Sequence, residues 1–283
     1  MDPGNLAVDD FAWRMAELRR RGLRSIHGAA YTRPSVTTEA MNSWLEAGLS
    51  LLYPACCQLC GSERATAAEG FVCGQCQSRP QGVRFVTPPF CDRCGLPYDG
   101  AITTRFECGN CREMDLRFSH AKAAVVATDL ILDVIHRYKY NRAMWFEPFL
   151  ASLLVRQASP DLASGGWDLI VPVPLHPMKQ REREFNQADR LARNLGLASG
   201  LRVTDSLIRR TRPTRTQTRL GRTERADNVA GSFAPSPGAQ LKGERVVVID
   251  DVLTTGATTS ACAEVLRQIG AGDVCVWTVA RGL

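Results

Sequence analysis

Residues 246–258 read Val246-Val-Val-Ile-Asp250-Asp251-Val-Leu-Thr254-Thr255-Gly256-Ala-Thr258. The apolar run predicts a buried parallel strand with two adjacent, solvent-accessible carboxylates at its C-terminal end, where open α/β sheets bind ligands. The hydroxyl-rich loop that follows opens a predicted helix, and backbone N–H groups at a helix start form a cradle for an anion. Carboxylates beside such a cradle indicate a phosphorylated ribose as the ligand. The competing interpretation is an acidic turn and a threonine-rich helix cap that bind no ligand.

The sequence on both sides of this motif alternates between strand and helix patterns. Predicted strands cover residues 121–128, 168–173, 245–249 and 274–280, and predicted helices cover 130–140, 145–156, 186–197 and 257–269. This alternation predicts an open, mainly parallel α/β sheet of about 160 residues. The chain lacks the glycine-rich fingerprints of P-loop and dinucleotide-binding proteins, so neither class is supported.

The composition is that of a folded protein. The chain has 283 residues, of which 45% are hydrophobic and 23% charged, so wholesale disorder is excluded. The formal net charge of +6 permits nucleic acid or phosphorylated partners without requiring them. No apolar run approaches the roughly 18–20 residues of a membrane span, and the first residues do not resemble a signal peptide. We therefore expect a cytoplasmic protein without a membrane span.

The eleven cysteines are unevenly distributed. Nine lie between Cys56 and Cys111, and eight of these form four C-x-x-C pairs. A tight C-x-x-C turn offers two sulfurs to one tetrahedral Zn²⁺, whereas a disulfide framework needs an oxidising compartment, so zinc is the favoured interpretation. Cys56 is predicted to be a bystander, and Cys262 and Cys275 to be buried small hydrophobic residues.

The block C-x-x-C-G…F-x-C-G-x-C occurs twice, at residues 57–76 and 91–111. Each copy holds four thiolates, enough to close one tetrahedral site, so we predict two sequential zinc ribbons, each with one structural zinc ion. The predicted ligands are Cys57, Cys60, Cys73 and Cys76 in the first ribbon and Cys91, Cys94, Cys108 and Cys111 in the second. A cross-braced pairing of alternate knuckles is the alternative, although it ignores the repeat.

These features divide the chain into three predicted segments. Residues 1–40 are a disordered or partly helical extension, with a membrane-surface or nucleic-acid arm as the competing interpretation. Residues 41–115 are a double zinc-ribbon domain with a leading helix, and Met41 is an alternative start of the protein. Residues 116–283 form the α/β domain.

The motif at 246–258 resembles the PRPP-binding loop of type I phosphoribosyltransferases (PRPP is 5-phosphoribosyl-1-pyrophosphate). Three further features resemble the competence protein F (ComF) family. The first is the pair of cysteine ribbons that precedes the α/β domain. The other two are Asp168-Leu-Ile-Val-Pro-Val-Pro-Leu-His176-Pro with Arg181-Glu-Arg183-Glu-Phe185-Asn186-Gln187, and Arg212…Thr216-Gln217…Leu220…Arg225…Asn228-Val229…Phe233. The likeness runs from about residue 44 to the end of the chain. It implies a type I phosphoribosyltransferase-like sheet behind a double zinc ribbon, with a role in DNA uptake or utilisation.

The same resemblance assigns roles to individual residues. Asp250 and Asp251 would hold the ribose hydroxyls and, with Arg183, would be the catalytic residues. The 5-phosphate would be bound by Thr254, Thr255, Gly256, Ala257 and Thr258, and pyrophosphate with Mg²⁺ by a loop containing His176, Lys179, Arg181 and Arg183. Lys139 could supply a further cation, although a lysine at a helix end is usually only solvated. The family usually has glycine at the position of Glu184, where a carboxylate would repel pyrophosphate.

Residues 202–225 contain eight arginines and two acids. Their position matches the flexible hood of these transferases, and the predicted hood residues are Arg210, Arg212, Thr216, Gln217 and Arg225. A hood would close over pyrophosphate and exclude water. The competing use of these arginines is a track for the phosphates of single-stranded DNA.

Two functional hypotheses follow. The first is an enzyme in which a nucleophile attacks C1 of PRPP and displaces pyrophosphate, with Mg²⁺ neutralising the leaving group. The second is a non-catalytic protein that binds PRPP or a nucleotide and engages single-stranded DNA or DNA-uptake proteins. The sequence contains no pattern that identifies the acceptor of the first hypothesis.

Overall fold

The computed structural model describes residues 55–100, 106–213, 229 and 231–283. The predicted N-terminal extension and the leading helix of the ribbon domain lie outside the described residues. The described residues form two compact units that divide between Cys73 and Gly74. Within these ranges, no helix has the length and apolar character needed to cross a lipid bilayer.

A parallel sheet of five strands organises the second unit. Its spatial order is β1 (Ala121–Val126), β7 (Asp273–Arg281), β6 (Arg245–Leu253), β2 (Leu169–Pro172) and β3 (Arg202–Val203). Every adjacent pair is parallel, which confirms the predicted α/β sheet. A separate antiparallel pair joins β4 (Ile208–Arg210) to β5 (Phe233–Pro235).

Helices connect most of the strands. In chain order the described helices are α1 (Gly74–Ser78), α2 (Gly109–Glu113), α3 (Asp129–Tyr140), α4 (Glu147–Gly165), α5 (Pro177–Arg183), α6 (Gln187–Ser199) and α7 (Ala257–Gln268). A 3₁₀ turn, Met144–Phe146, precedes α4. Helix α3 begins after Thr128, whose side chain accepts a hydrogen bond from the Ile131 amide, as helix-capping residues do.

Two elements are longer than the sequence predicts. Helix α4 continues to Gly165 through Pro160, although a proline removes one backbone hydrogen bond. Ala158 and Leu162, on either side of Pro160, are both buried, and their burial offsets that loss. Strand β6 continues through both aspartates to Leu253 because it pairs with β7 along its whole length.

The core of the sheet is the apolar run of β6, Val246 to Ile249, whose residues are all fully buried. Val246 and Val248 pack in one cluster with Cys262 and Leu266 of α7. Cys262 and Cys275 are fully buried, as predicted. This packing fixes the start of α7 against the end of β6.

The order of the strands also fixes where a ligand can bind. The connection that leaves β2 leads outward to β3, whereas the connection that leaves β6 leads in the opposite direction to β7. The loops after β2 and β6 therefore separate and leave a crevice between them, and α/β sheets bind their ligands at such a point.

Candidate functional site

A cavity of about 630 Å³ lies at the carboxyl ends of β2 and β6, a size that suits a small-molecule ligand. The cavity is lined by most of the predicted site residues: Asp250, Asp251, Thr254, Thr255, Gly256, Ala257, Thr258, His176, Lys179 and Arg183. Arg181 is not among the described residues that line it. The structure thus brings the predicted ribose, phosphate and pyrophosphate residues into one pocket, with Arg181 as the exception.

The loop between β6 and α7 forms one end of this cavity, and Gly256 is its critical residue. Gly256 has a φ of +84°, and a Cβ atom there would lie 3.3 Å from Leu116 Cδ2 and 3.4 Å from Phe118 Cζ. Glycine is the residue that tolerates both the left-handed backbone and this close approach. Helix α7 begins directly after it, so the positive end of the helix dipole faces the cavity. The loop therefore suits an anion, as its sequence predicts.

The two aspartates have different surroundings. Asp251 is buried, with 3% exposure, and its Oδ2 atom lies 2.6 Å from Lys139 Nζ. Asp250 is partly buried, and its Oδ1 accepts a hydrogen bond from the Asp251 amide. Burial and the charge of Asp251 raise the pKa of Asp250 to about 7, although Lys139 opposes this shift. The expectation that both carboxylates are open to solvent is wrong for Asp251, because β6 extends past it into the pairing with β7.

Lys139 is the functional residue that sequence reasoning undervalued. It lies on α3, a face of which lines the cavity with Leu132, His136, Lys139 and Tyr140. Leu132, His136 and Tyr140 follow one another at intervals of four residues, and Lys139 lies three residues after His136, as neighbours on one helical face do. That spacing is the signal in the sequence, but it does not identify Asp251, more than 100 residues away, as the partner of Lys139.

The predicted pyrophosphate loop is the short helix α5. His176 caps this helix, and its Nδ1 accepts a hydrogen bond from the Met178 amide. Lys179 pairs with Glu182 at 2.8 Å. The Arg183 guanidinium lies 4.8 Å from the centre of the Tyr140 ring and donates a hydrogen bond to Gln187. Helix α5 thus presents a histidine, a lysine and an arginine along one side of the cavity.

Glu184 ends this helix in the left-handed conformation, with a φ of 68°. That backbone explains why a glycine suits the position. Its carboxylate lies 2.8 Å from Arg142 Nη2, both side chains are mostly exposed, and Glu184 is not among the described residues that line the cavity. The repulsion of pyrophosphate expected from this carboxylate is therefore weakened, because Arg142 balances its charge.

The described part of the predicted hood contributes one arginine to the cavity. Arg210, on β4, lines it, and its guanidinium lies 5.2 Å from the centre of the Phe233 ring. Burial lowers the pKa of Arg210, while the nearby charge of Asp250 opposes that shift. Arg212 is exposed and does not line the cavity, and the other predicted hood residues, Thr216, Gln217 and Arg225, lie outside the described residues.

The eight predicted zinc ligands form two sets. In each set, the four sulfur atoms lie within 4.8 Å of one another, and the sets are Cys57, Cys60, Cys73 and Cys76, and Cys91, Cys94, Cys108 and Cys111. Sulfurs bound tetrahedrally at about 2.3 Å from zinc lie about 3.8 Å apart. The separations are 3.8 Å between Cys60 and Cys73, 3.8 Å between Cys91 and Cys111, and 3.7 Å between Cys94 and Cys108. Both sets therefore fit a zinc ion, and the sequential pairing is confirmed over the cross-braced one.

Neighbouring groups favour the thiolate form of at least one cysteine in each ribbon. Hydrogen bonds from Ser62 and Glu63 lower the pKa of Cys60 to about 6. In the second ribbon, burial opposes ionisation of Cys94, but the charge of Arg281 and a hydrogen bond from it hold the pKa of this thiol below its usual value. Since zinc binds the thiolate form of cysteine, the shifts of Cys60 and Cys94 favour metal binding, whereas burial raises the pKa of Cys108 and of Cys111 and opposes it.

Comparisons with known proteins match both parts of the chain. Residues 48–112 match the family model of the double zinc ribbon domain. DNA utilization protein YhgH of Salmonella typhimurium is 31% identical over 236 residues, which cover 82% of this chain and 100% of that protein. Competence protein F of Haemophilus influenzae is 28% identical over 220 residues, which cover 76% of this chain and 92% of that protein. The similarity therefore extends well beyond the zinc ribbons.

Among solved structures, adenine phosphoribosyltransferase from Thermoanaerobacter pseudethanolicus is 18% identical, with a TM-score of 0.30. The match covers 52% of this chain and 82% of that chain. The assignment of the fold rests on the strand order and the parallel pairing of the sheet itself.

Proposed function

The chain belongs to the family that contains competence protein F and DNA utilization protein YhgH, and we propose that it binds PRPP with Mg²⁺ and transfers the phosphoribosyl group to an acceptor. The observation that carries this proposal is the convergence of a carboxylate pair, an anion cradle and, in addition to Lys139, three cationic side chains on one cavity. Those cations are Lys179, Arg183 and Arg210. Carboxylates suit ribose hydroxyls, and the cradle and the cations suit the two phosphorylated ends of PRPP.

The assignments within the cavity follow the chemistry of each group. Asp250 and Asp251 accept hydrogen bonds from the ribose hydroxyls, and the loop from Thr254 to Thr258 binds the 5-phosphate. Lys179, Arg183 and Arg210 bind the pyrophosphate. Lys139 also holds the Asp251 carboxylate in place through their ion pair, which leaves Asp250 as the more accessible carboxylate of the two for a hydroxyl group or for Mg²⁺.

The reaction forms a bond from an acceptor nucleophile to C1 of the ribose and breaks the bond from C1 to the pyrophosphate oxygen. Negative charge develops on the leaving pyrophosphate, and fixed cations that face it lower the barrier. Mg²⁺, when bound with pyrophosphate, supplies further neutralisation of that charge. The protein's own contribution is to position the two reactants and to supply the cationic side chains. Since zinc requires reduced thiols, this function is proposed for the cytoplasm.

A second candidate is single-stranded DNA binding without turnover, which is favoured by the names of the relatives, a competence protein and a DNA utilization protein. The exposed arginines of the described segment, Arg202, Arg209 and Arg212, suit phosphate contacts. DNA and PRPP binding are separable, because Arg210 lines the cavity whereas these three arginines do not.

Two assays separate the candidates. The first screens free nucleobases for PRPP-dependent release of pyrophosphate in the presence of Mg²⁺. The second is a gel shift with single-stranded DNA at two salt concentrations. Release of pyrophosphate with any acceptor supports transfer. No release, together with DNA binding that weakens steeply with salt, supports the binding protein instead.

A further inference from the structure

Arg281 is buried, with 3% exposure, and it lies between the second zinc ribbon and the loop proposed to bind the 5-phosphate. On one side, its guanidinium donates hydrogen bonds to the Cys94 carbonyl at 2.9 Å and to Cys94 Sγ at 3.2 Å. On the other side, it donates to the carbonyls of Leu253 at 3.1 Å and Thr254 at 2.8 Å. One side chain thus joins a predicted zinc ligand to the residues that open the phosphate loop.

The charge of Arg281 gives this contact its significance. Over the ranges that the structure describes, no carboxylate lies within ion-pair distance of Arg281. A buried arginine needs an opposite charge, and four thiolates around one Zn²⁺ carry a net charge of −2. The zinc-bound set of four thiolates in the second ribbon therefore provides the anionic partner of Arg281.

A second connection runs beneath the loop. Arg93, inside the Cys91/Cys94 knuckle, donates hydrogen bonds to the carbonyls of Leu116 and Ser119. Leu116 and Phe118 are the side chains against which Gly256 packs. The knuckle therefore supports the segment on which the phosphate loop rests, as well as contacting the loop through Arg281.

We propose that Arg281 is a positioning residue that couples zinc binding in the second ribbon to sugar-phosphate binding at Thr254–Thr258. This inference rests on the proposed function. The zinc-bound knuckle holds the guanidinium, the guanidinium holds the carbonyls of Leu253 and Thr254, and the loop is thereby fixed in the shape that accepts a phosphate. Coupling between two binding sites is reciprocal, so the sugar phosphate must strengthen zinc binding by the same factor.

Titration calorimetry with ribose 5-phosphate tests the first half of this proposal, because this probe needs the phosphate loop and the carboxylates but no pyrophosphate site. Arg281→Met should weaken its binding by about five-fold or more, within the range of measured coupling between sites. Arg281→Lys keeps the charge but not the fork of donors, so its affinity should be intermediate.

Arg245→Met is the matched control. Arg245 also bridges backbone carbonyls and packs on a ring, that of Trp167, but it begins β6 at the opposite end of the sheet from the cavity. Its replacement should leave the affinity for ribose 5-phosphate within two-fold of the wild-type value.

Equilibrium competition with a zinc-binding dye on the wild-type chain tests whether the sugar phosphate strengthens zinc binding. This measurement tests the coupling even if Arg281→Met does not fold. Saturating ribose 5-phosphate should increase the affinity for one of the two zinc ions by about five-fold and leave the affinity for the other unchanged. A folded Arg281→Met variant with wild-type affinity, or zinc binding indifferent to ribose 5-phosphate, would overturn the coupling while leaving the proposed function intact. A wild-type chain that binds neither ribose 5-phosphate nor PRPP with Mg²⁺ would remove the proposed function, and the coupling with it.

Discussion

Lys139 Nζ lies 2.6 Å from Asp251 Oδ2, and their side chains are only 18% and 4% exposed. This ion pair gives the two adjacent carboxylates different electrostatic surroundings. Asp251 is paired with Lys139, whereas burial and the neighbouring charge of Asp251 raise the pKa of Asp250 to about 7. The cavity therefore contains one carboxylate that is paired with a cation and one that titrates near neutral pH.

Removal of one partner of this pair should destabilise the fold. Lys139→Met leaves the buried Asp251 carboxylate without its cation, and we expect the free energy of unfolding to fall by about 2 kcal/mol or more. Chemical denaturation at pH 7 measures this change. The double variant Lys139→Met/Asp251→Asn has no unpaired charge and should recover at least half of the loss. A single variant as stable as the wild type would show that the pair contributes nothing.

The raised pKa of Asp250 predicts a pH dependence of binding. Asp250 is neutral below about pH 7 and ionised above it, and the ionised form accepts stronger hydrogen bonds from ribose hydroxyls. The affinity for PRPP with Mg²⁺ should therefore rise between pH 6 and pH 8 more steeply in the wild type than in Asp250→Asn. Titration of the ligand's own phosphates is common to both proteins, so the difference between the two profiles isolates Asp250. Parallel profiles would contradict the prediction.

The same shift predicts the pH dependence of stability. Because the pKa of Asp250 in the folded protein lies above its value in an unfolded chain, the folded state binds the extra proton between about pH 4 and pH 7. The stability associated with the protonated carboxyl is therefore lost as the pH rises through this range. Asp250→Asn lacks this loss, so its stability relative to the wild type should increase between pH 5 and pH 8 in thermal unfolding.

Two zinc ions per chain are expected, one for each set of four cysteines. Cys73→Ser and Cys108→Ser should each reduce the zinc content to one ion, because three thiolates no longer close the tetrahedral site. Cys56→Ser is the control and should retain two ions, since Cys56 belongs to neither set. Metal analysis of the purified proteins provides the measurement. One ion in the wild-type chain would contradict the two-site assignment.

Substitutions of Glu184 separate the effect of its left-handed backbone from the effect of its negative charge. Glu184→Gly should stabilise the fold by about 1 kcal/mol, because a left-handed residue other than glycine costs roughly 1–2 kcal/mol and the exposed pair with Arg142 contributes little. Glu184→Ala removes the same charge but keeps the backbone cost, so it should not gain stability. Neither variant should change the affinity for PRPP with Mg²⁺ by more than about two-fold. A larger gain of affinity in both variants would show that the carboxylate repels pyrophosphate.

The sequence is informative where the signal is local. The strand, carboxylates and threonine loop at 246–258 predict a ligand site because all of its parts are consecutive. The C-x-x-C pairs predict both zinc sets because the four cysteines of each set lie close together in the sequence. The contacts of Lys139 with Asp251 and of Arg281 with Cys94 join residues more than 100 positions apart. Such partners depend on strand order, which propensity and periodicity do not specify. The continuation of α4 through Pro160 likewise depends on tertiary packing, which overrides a local helix-breaking signal.

Titration calorimetry of PRPP with Mg²⁺ into the wild-type chain and into Asp250→Asn is the most direct test of the proposed ligand. The wild type should bind with a stoichiometry near one. Asp250→Asn, which removes a carboxylate without leaving an unpaired charge, should remain folded and bind about ten-fold more weakly or worse, since each charge-assisted hydrogen bond contributes roughly 1.5–3 kcal/mol. A folded Asp250→Asn variant with undiminished affinity, or a wild-type chain that does not bind PRPP, would contradict ribose recognition by this carboxylate pair.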